Sequence, residues 1–248
     1  MLVAERRRLL LDRLARDGKV VARDLAGELD LSEDSIRRDL RDLAAAGRCQ
    51  RVYGGAVPIS RALLDYRARQ HVEPTSKLRV AALAAALIKP GSRVILDGGT
   101  TTLAVTRALP PDLPATIITH SPTIAAALID HPTVEIHLLG GRIYKHSAVA
   151  CGAATAEAAR TINADLFLLG VTGVHPEAGL TTGDADEAAI KRTLSRQAAD
   201  TYVLASAEKI GAISPYQVLD LQSVAGIVTD APQASIADLR AVGANILS

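Results

Sequence analysis

An N-terminal all-α winged helix-turn-helix followed by a C-terminal α/β domain with a largely parallel sheet is the fold predicted for this chain of 248 residues. Three observations carry the prediction. The first 57 residues hold three helical periodicities separated by tight turns, then a short basic hairpin pattern. Beyond a stretch punctuated by proline, apolar β-branched runs alternate with Ala-rich helical segments. Hydrophobic content of 48% with 22% charged residues describes an ordinary globular chain, long enough for a small and a medium domain.

The first helix is predicted over Ala4–Asp17, with Leu9, Leu10 and Leu14 on its apolar side and Gly18 at its end. Val20 and Val21 introduce a second over Ala22–Leu29, and Asp30-Leu31-Ser32 turns into a third. Ser32 suits the N-cap, because its hydroxyl can accept from one of the free backbone N–H groups of that helix. Ile36, Leu40 and Leu43 recur at i, i+4 and i+7 as one apolar stripe, and Gly47 ends the helix. Ser35, Arg37, Arg38 and Arg41 are thrown onto the other faces. Helix, helix, tight turn, helix is the order in which the last helix enters a DNA major groove. Arg51-Val52-Tyr53 before Gly54-Gly55 suits a strand and turn, the wing. The candidate DNA-contacting set is therefore Ser32, Ser35, Arg37, Arg38, Arg41, Arg51 and Tyr53. Arg38 lies beside the apolar stripe by angle, so reading a base and packing its stem while touching phosphate both stay open for it.

The charge balance bears on the same question. The net charge is +1, and residues 1–57 hold 12 Lys and Arg against 10 Asp and Glu, with 16 against 17 in the remainder. Such a segment is no polybasic tail; it would bind DNA with a folded face on which arginines are sorted from acids. One Phe and no Trp argue against a stacking platform for single strands.

Pro58–Thr75 reads as a connector with a short helix around Arg61–Arg69, giving domains 1–57 and 76–248 with a linker at 58–75. Strands are predicted at Arg93–Leu96, Thr116–Thr119, Val134–Leu139, Leu166–Val171, Thr201–Ala205 and Gly226–Thr229. Helices are predicted at Lys77–Ile88, Thr101–Leu109, Pro122–Leu128, Ala153–Ile162, Glu187–Ala199 and Ser235–Val242. Ligands in doubly wound sheets sit outside the carboxyl ends of the strands.

The sharpest motif there is Asp97-Gly98-Gly99-Thr100-Thr101-Thr102, between a strand and a helix. Glycines admit close backbone approach, and threonine hydroxyls beside free N–H groups at a positive helix end suit phosphate or sulfate. An ordinary βα turn capped by Thr accounts for it equally well. Neither the P-loop spacing nor GxGxxG is present. Leu139-Gly140-Gly141-Arg142 follows another strand, with Lys145 and His146 beyond; Arg142 is either a cation answering that phosphate or a solvated loop charge. Gly179–Gly183 leads to Asp184, Asp186, Glu187 and Lys191, the last two spaced as a surface ion pair. Lys209 follows a further strand, and His120-Ser121 follows TIIT at the same sheet edge as Thr100. The other histidines (His71, His131, His137, His146, His175) show no metal spacing, and Cys49 and Cys151 form no CxxC, so no metal, disulfide or cofactor is expected. With neither a secretory h-region nor a bilayer-length apolar run, the chain reads as cytoplasmic, with no membrane partner.

The stretches ERRRLLLDRLARDGKVVARDLAGELDLSEDSIRRDLRDLAAAG, RVYGGAV, KLRVAALAAALIKPGSRVILDGGTTTLAVTRAL, LLGGRIYKHS, ADLFLLGVTGV and ASAEKIG occur in this order. In these the chain resembles the DeoR family of bacterial transcriptional regulators over essentially its whole length. The resemblance implies a winged helix-turn-helix joined to an effector-sensing and oligomerisation domain similar in fold to ribose-phosphate isomerases. It implies a repressor of sugar or related carbon metabolism genes with no catalytic residues. The implied partners are a double-stranded DNA operator, a phosphorylated sugar or related anionic metabolite, and further copies of the chain as a dimer or tetramer. By the same resemblance the loop at Gly99–Thr102 cradles phosphate. The candidate effector set becomes Asp97, Gly99, Thr100, Thr101, Thr102, His120, Ser121, Gly141, Arg142, Lys191 and Lys209. His120 stands where related sensors often carry Asn. Two rival readings are a sugar-phosphate isomerase-like enzyme carrying a DNA-binding appendage, resting on Asp184, Asp186, Glu187 and Lys191, and an architectural DNA-binding protein whose second domain only oligomerises.

Overall fold

The computed structural model describes residues 1–58 and 64–248. It divides into two compact units, Met1–Ser60 and Arg61–Ser248.

The first unit runs α1 (Val3–Asp17), β1 (Val20–Val21), α2 (Ala22–Leu29), α3 (Glu33–Ala45), β2 (Gln50–Val52) and β3 (Gly55–Val57). Gly18 closes α1 in the left-handed region, its N–H returning to Leu14 O. Leu10, Leu14, Leu25, Ile36, Leu40 and Leu43 converge in one buried core, each such burial contributing about 1.5–3 kcal/mol. The expected α3 stripe is thus the face that holds the unit together. The unit is not purely helical: β1 joins the hairpin in a three-stranded sheet of order β1-β3-β2. Two residues are too few for a period-two pattern to register, and the signal lies instead at Gly55. A Cβ there would sit 1.8 Å from the Val20 carbonyl oxygen, so only glycine lets β1 lie against β3.

The second unit continues with α4 (Tyr66–Gln70), α5 (Pro74–Ala85), β4 (Arg93–Leu96), α6 (Thr100–Ala108), β5 (Ala115–Thr119), α7 (Pro122–Leu128) and β6 (Val134–Leu138). Then come β7 (Arg142–Tyr144), β8 (Val149–Cys151), α8 (Ala153–Arg160), β9 (Ala164–Gly170), β10 (Gly173–His175), β11 (Gly179–Thr182) and α9 (Ala185–Ser195). The chain ends with β12 (Ala198–Leu204), β13 (Tyr216–Leu219), β14 (Gly226–Val228), α10 (Gln233–Ala241) and β15 (Ile246–Leu247). Of the helix expected around Arg61–Arg69, residues 61–63 lie outside the described ones, and α4 begins only at Tyr66, with Asp65 as its N-cap.

Six expected strands and β15 form one seven-stranded parallel sheet, ordered β15-β14-β12-β9-β4-β5-β6. Ile95, Phe167 and Val203 bury into a core on one face; Val94, Leu96, Leu168 and Leu204 bury into a second core on the other. Burial on both faces explains why these strands read as continuous apolar runs. The chain winds from β4 through β5 to β6 in one direction, then resumes at β9 beside β4 and winds the other way. The strand order therefore reverses between β4 and β9, and a crevice opens there at the carboxyl ends.

Two smaller pieces escaped the sequence pattern: the β7–β8 hairpin and the antiparallel sheet β10-β11-β13. Their strands span three or four residues and mix Gly, Thr and charged residues, so alternation is too brief to register.

Candidate functional site

Two surfaces carry the chemistry, one in each unit. In the first, Ser32 caps α3, its hydroxyl accepting from Ser35 N at 3.3 Å and lying 2.9 Å from Ser35 Oγ. Asp39 faces inward from α3 and is buried, held by Arg6 and by Arg7 Nε at 3.0 Å; Arg7 also pairs with Asp42. Two carboxylates of α3 are thereby drawn to α1. Arg38 and Arg41 stay exposed on α3, and Arg51 on β2; among the described residues no carboxylate pairs with any of the three. Arg37 is also exposed, but Glu33 holds it through two contacts of 2.6 and 2.9 Å. Tyr53 stands fully exposed at the hairpin tip, where Gly54 takes the left-handed turn with φ +80°. Asp39 is turned inward while Arg38, Arg41 and Arg51 stay outward, so α3 presents arginines beside a wing, with Asp34 and Asp42 exposed as well.

In the second unit the crevice between β4 and β9 is built around Asp97, which is completely buried. Its Oδ1 accepts from Gly98 N at 2.8 Å and lies 2.8 Å from His120 Nε2; its Oδ2 accepts from Gly170 N at 2.8 Å and from the Lys191 ammonium. Burial pushes the Asp97 carboxyl up, but Lys191 and His120 outweigh it and hold it at about 2. Lys191 also donates to Gly170 O at 2.9 Å and pairs with Glu187 at 3.3 Å; these carboxylates overcome its desolvation and raise its pKa. His120 Nδ1 lies 2.8 Å from the Ala150 carbonyl, tying β5 to β8. Asp97 is thus a hub joining three strand ends, with no oxygen left for a ligand.

The loop above it is open. Gly99 has φ +125°, a conformation that favours glycine, and α6 begins directly after it. Thr102 Oγ1 donates to Gly99 O at 2.9 Å, and Thr101 Oγ1 accepts from Lys209 Nζ at 3.2 Å. Lys209 is buried, and burial drops its pKa to about 8 despite Glu208 alongside. Lys77 is buried too and donates to Arg69 O; burial lowers its pKa and that of the Arg69 guanidinium. Three buried polar atoms lining this crevice lack a partner: Arg69 Nε, Thr182 Oγ1 and Glu208 Oε2. An orphaned buried group costs about 1–3 kcal/mol, so three of them on residues of one crevice favour an external partner, water or ligand. The geometry offers cations, hydroxyls and a helix N-terminus to an anion, and one carboxylate oxygen to a hydroxyl.

Of the expected effector residues, Gly99, Thr100, Thr101, Thr102, Lys191 and Lys209 line the crevice. Asp97 and His120 lie beneath it as its frame, and Ser121 is buried with its hydroxyl on Ala148 O at 3.1 Å. Gly141 and Arg142 are not brought into it: Arg142 is exposed on β7 and pairs with Asp186 at 3.1 Å. Sequence reasoning missed Arg69, Lys77, Thr182 and Glu208. The first two fall in or beside the stretch read as a connector, and only the Lys77–Arg69 contact reveals them as part of the crevice.

Residues 6–62 match the model of the DeoR-like helix-turn-helix domain, and residues 72–231 match that of the DeoR C-terminal sensor domain. The chain belongs to the DeoR family. This DeoR-family chain is 34% identical to the HTH-type transcriptional regulator FruR of Bacillus subtilis, over 94% of its own length and 93% of the relative's. It is 32% identical to the HTH-type transcriptional repressor GlcR of the same organism, over 95% and 92%. Both are named as regulators, and this DeoR-family protein is likewise a DNA-binding transcription regulator rather than an enzyme. Among solved structures, ribose 5-phosphate isomerase A of Methanocaldococcus jannaschii is similar in fold at a TM-score of 0.40 and 18% identity, covering 54% of this chain and 52% of that one. Among the described residues no helix is long and apolar enough to cross a membrane, and no three His, Cys, Asp or Glu residues are grouped to hold a metal ion.

Proposed function

We propose that this protein is a cytoplasmic repressor of sugar or related carbon metabolism genes, acting as a homo-oligomer whose operator affinity is set by a phosphorylated sugar or similar anionic metabolite. One observation carries the reading: Arg69 Nε, Thr182 Oγ1 and Glu208 Oε2 are buried without partners around the Gly99–Thr102 loop, beside Lys209. A phosphate supplies acceptors for the guanidinium, the ammonium and the free N–H groups of α6. A sugar hydroxyl supplies the donor that the Glu208 oxygen lacks.

On the operator side, α3 enters the major groove with Arg38 and Arg41 leading and Ser32 and Ser35 near its start, while Arg51 and Tyr53 meet the backbone or the minor groove. An arginine forked onto guanine contributes about 1–3 kcal/mol of discrimination. Arg37 must first leave Glu33, an exposed and therefore weak pair, so its net share is smaller. The effector acts only to the extent that it binds one arrangement of the oligomer more tightly than another.

The four residues on which the isomerase reading rests are all engaged elsewhere. Glu187 and Lys191 are tied to each other, to Ser147 and to Asp97; Asp184 caps α9; Asp186 is paired on the surface. A thermal-shift series with pentose and hexose phosphates, followed by a turnover assay on any that stabilise, tests the proposal. Saturable stabilisation without turnover is expected; turnover, or no stabilisation by any phosphorylated sugar, overturns it.

A further inference from the structure

We propose that β6 is the seam of the homo-oligomer: two copies of this chain pair their β6 strands antiparallel about a two-fold axis at Ile136, fusing two seven-stranded sheets. The inference rests on the oligomeric reading above and names the surface that reading leaves open.

β6 is the last strand of the parallel sheet, and β5 is its only strand neighbour among the described residues. Its outer backbone edge is therefore unpaired over five residues, whereas the opposite edge is the two-residue β15. Strands of parallel sheets are normally covered, and lone edges are normally guarded by proline, lysine, a bulge or brevity. The sequence Val134-Glu135-Ile136-His137-Leu138 has no proline, lysine or bulge and a single formal charge, Glu135, and no residue in it is fully buried. Leu138 is 48% exposed.

What selects a second copy as the occupant is the self-complementarity of the strand. Val134, Ile136 and Leu138 share one face; Glu135 and His137 share the other. A two-fold axis makes paired strands antiparallel, and each contact occurs twice. With the axis at Ile136, Val134 lies opposite Leu138 of the second copy, Ile136 opposite its equivalent, and Glu135 opposite His137, in both directions. Every apolar residue meets an apolar one and each carboxylate meets an imidazole. Slipping the register by one residue sets Ile136 against Glu135 and loses both matches. Val134 and Ile136 already pack on the core beneath α6 and α7, so the joined face continues an existing apolar surface. On the other face Thr116 Oγ1 of β5 donates to Glu135 Oε2 at 3.3 Å.

Sedimentation equilibrium of the full chain tests this with His137→Glu and the exchange Glu135→Lys/His137→Glu, both at solvent-exposed positions, and with circular dichroism to confirm folding. His137→Glu faces two glutamates against two and is expected to weaken self-association roughly tenfold. The double variant sets Lys opposite Glu and is expected to restore it. A wild-type chain that stays monomeric overturns the oligomeric reading and this proposal together. An oligomer indifferent to His137→Glu, or not restored by the double variant, overturns the β6 seam alone.

Discussion

Replacing Asp97 by Asn probes the frame of the crevice most sharply. Asn keeps the shape but offers one acceptor oxygen in place of two. Its oxygen is best placed toward Lys191 and Gly170 N, leaving the amide nitrogen toward Gly98 N and His120 Nε2. The imidazole can adapt by keeping its proton on Nδ1, against Ala150 O, and accepting on Nε2. Gly98 N cannot adapt, and Lys191 keeps only Glu187 as a charged partner. Breaking a buried pair costs about 3–5 kcal/mol, and the remaining Glu187 contact sets this case at about 3 kcal/mol. Linkage gives a consistent scale. Asp97 is held at about 2 in the folded chain against an ordinary 3.8, so its ionised form contributes on the order of a few kcal/mol above pH 3.8, lost as the pH falls through 2. At roughly 2–4 °C per kcal/mol the sensor unit should melt about 6–12 °C lower. Urea unfolding of the wild type, Asp97→Asn, Lys191→Met and the double variant supplies the cycle. The double variant should lose less than the sum of the two single losses, because neither charge of the pair is then stranded. A loss below 1 kcal/mol for Asp97→Asn, or strict additivity, would refute Asp97 as the hub.

Other consequences are open to measurement. Arg38→Ala and Arg41→Ala should each weaken binding to DNA from upstream of the protein's own coding sequence by at least tenfold, with Arg37→Ala losing less; fluorescence anisotropy at fixed salt reads the order, and equal losses contradict it. Asp39→Ala should lower the melting temperature of the first unit and weaken DNA binding together, since it strands Arg6 and leaves Asp42 as the one α3 carboxylate still holding Arg7 of α1; an unchanged melt contradicts the clamp. Lys209 holds its proton only to about pH 8, below the ordinary 10.5, and an anion beside it must raise that value. Sugar-phosphate affinity should therefore fall by up to about tenfold per pH unit above 8, with proton uptake seen by calorimetry in buffers of different ionisation enthalpy; no uptake at pH 8.5 places Lys209 outside the site.

The parts legible in the sequence are those whose signal is local. The stripe of Ile36, Leu40 and Leu43 and the cap at Ser32 depend on spacing along one helix, and the inner strands β4 and β9 are short apolar runs because both their faces are buried. What escaped is tertiary. Asp97 looks like a ligand contact beside two glycines, yet its oxygens are consumed by Gly170, His120 and Lys191, which are distant in sequence. Arg69 joins the site through α4, a five-residue helix inside a stretch that reads as linker. Arg142 stood at a strand end by the same logic as Thr100, but β7 turns into its own hairpin and carries it to the surface. The Glu33–Arg37 pair was present as i, i+4 spacing, and its cost to DNA reading becomes visible only with the distances.

The central claim is that an anion held at Gly99–Thr102 and Lys209 changes the hold of α3 on DNA. The most direct measurement is the anisotropy titration of that upstream DNA with the full chain, with and without a panel of pentose and hexose phosphates, on the wild type and on Arg69→Ala. At least one phosphorylated sugar should shift the wild-type affinity tenfold or more, while Arg69→Ala binds DNA normally and does not respond. DNA binding that no phosphorylated sugar alters, or an equal response from Arg69→Ala, would contradict it.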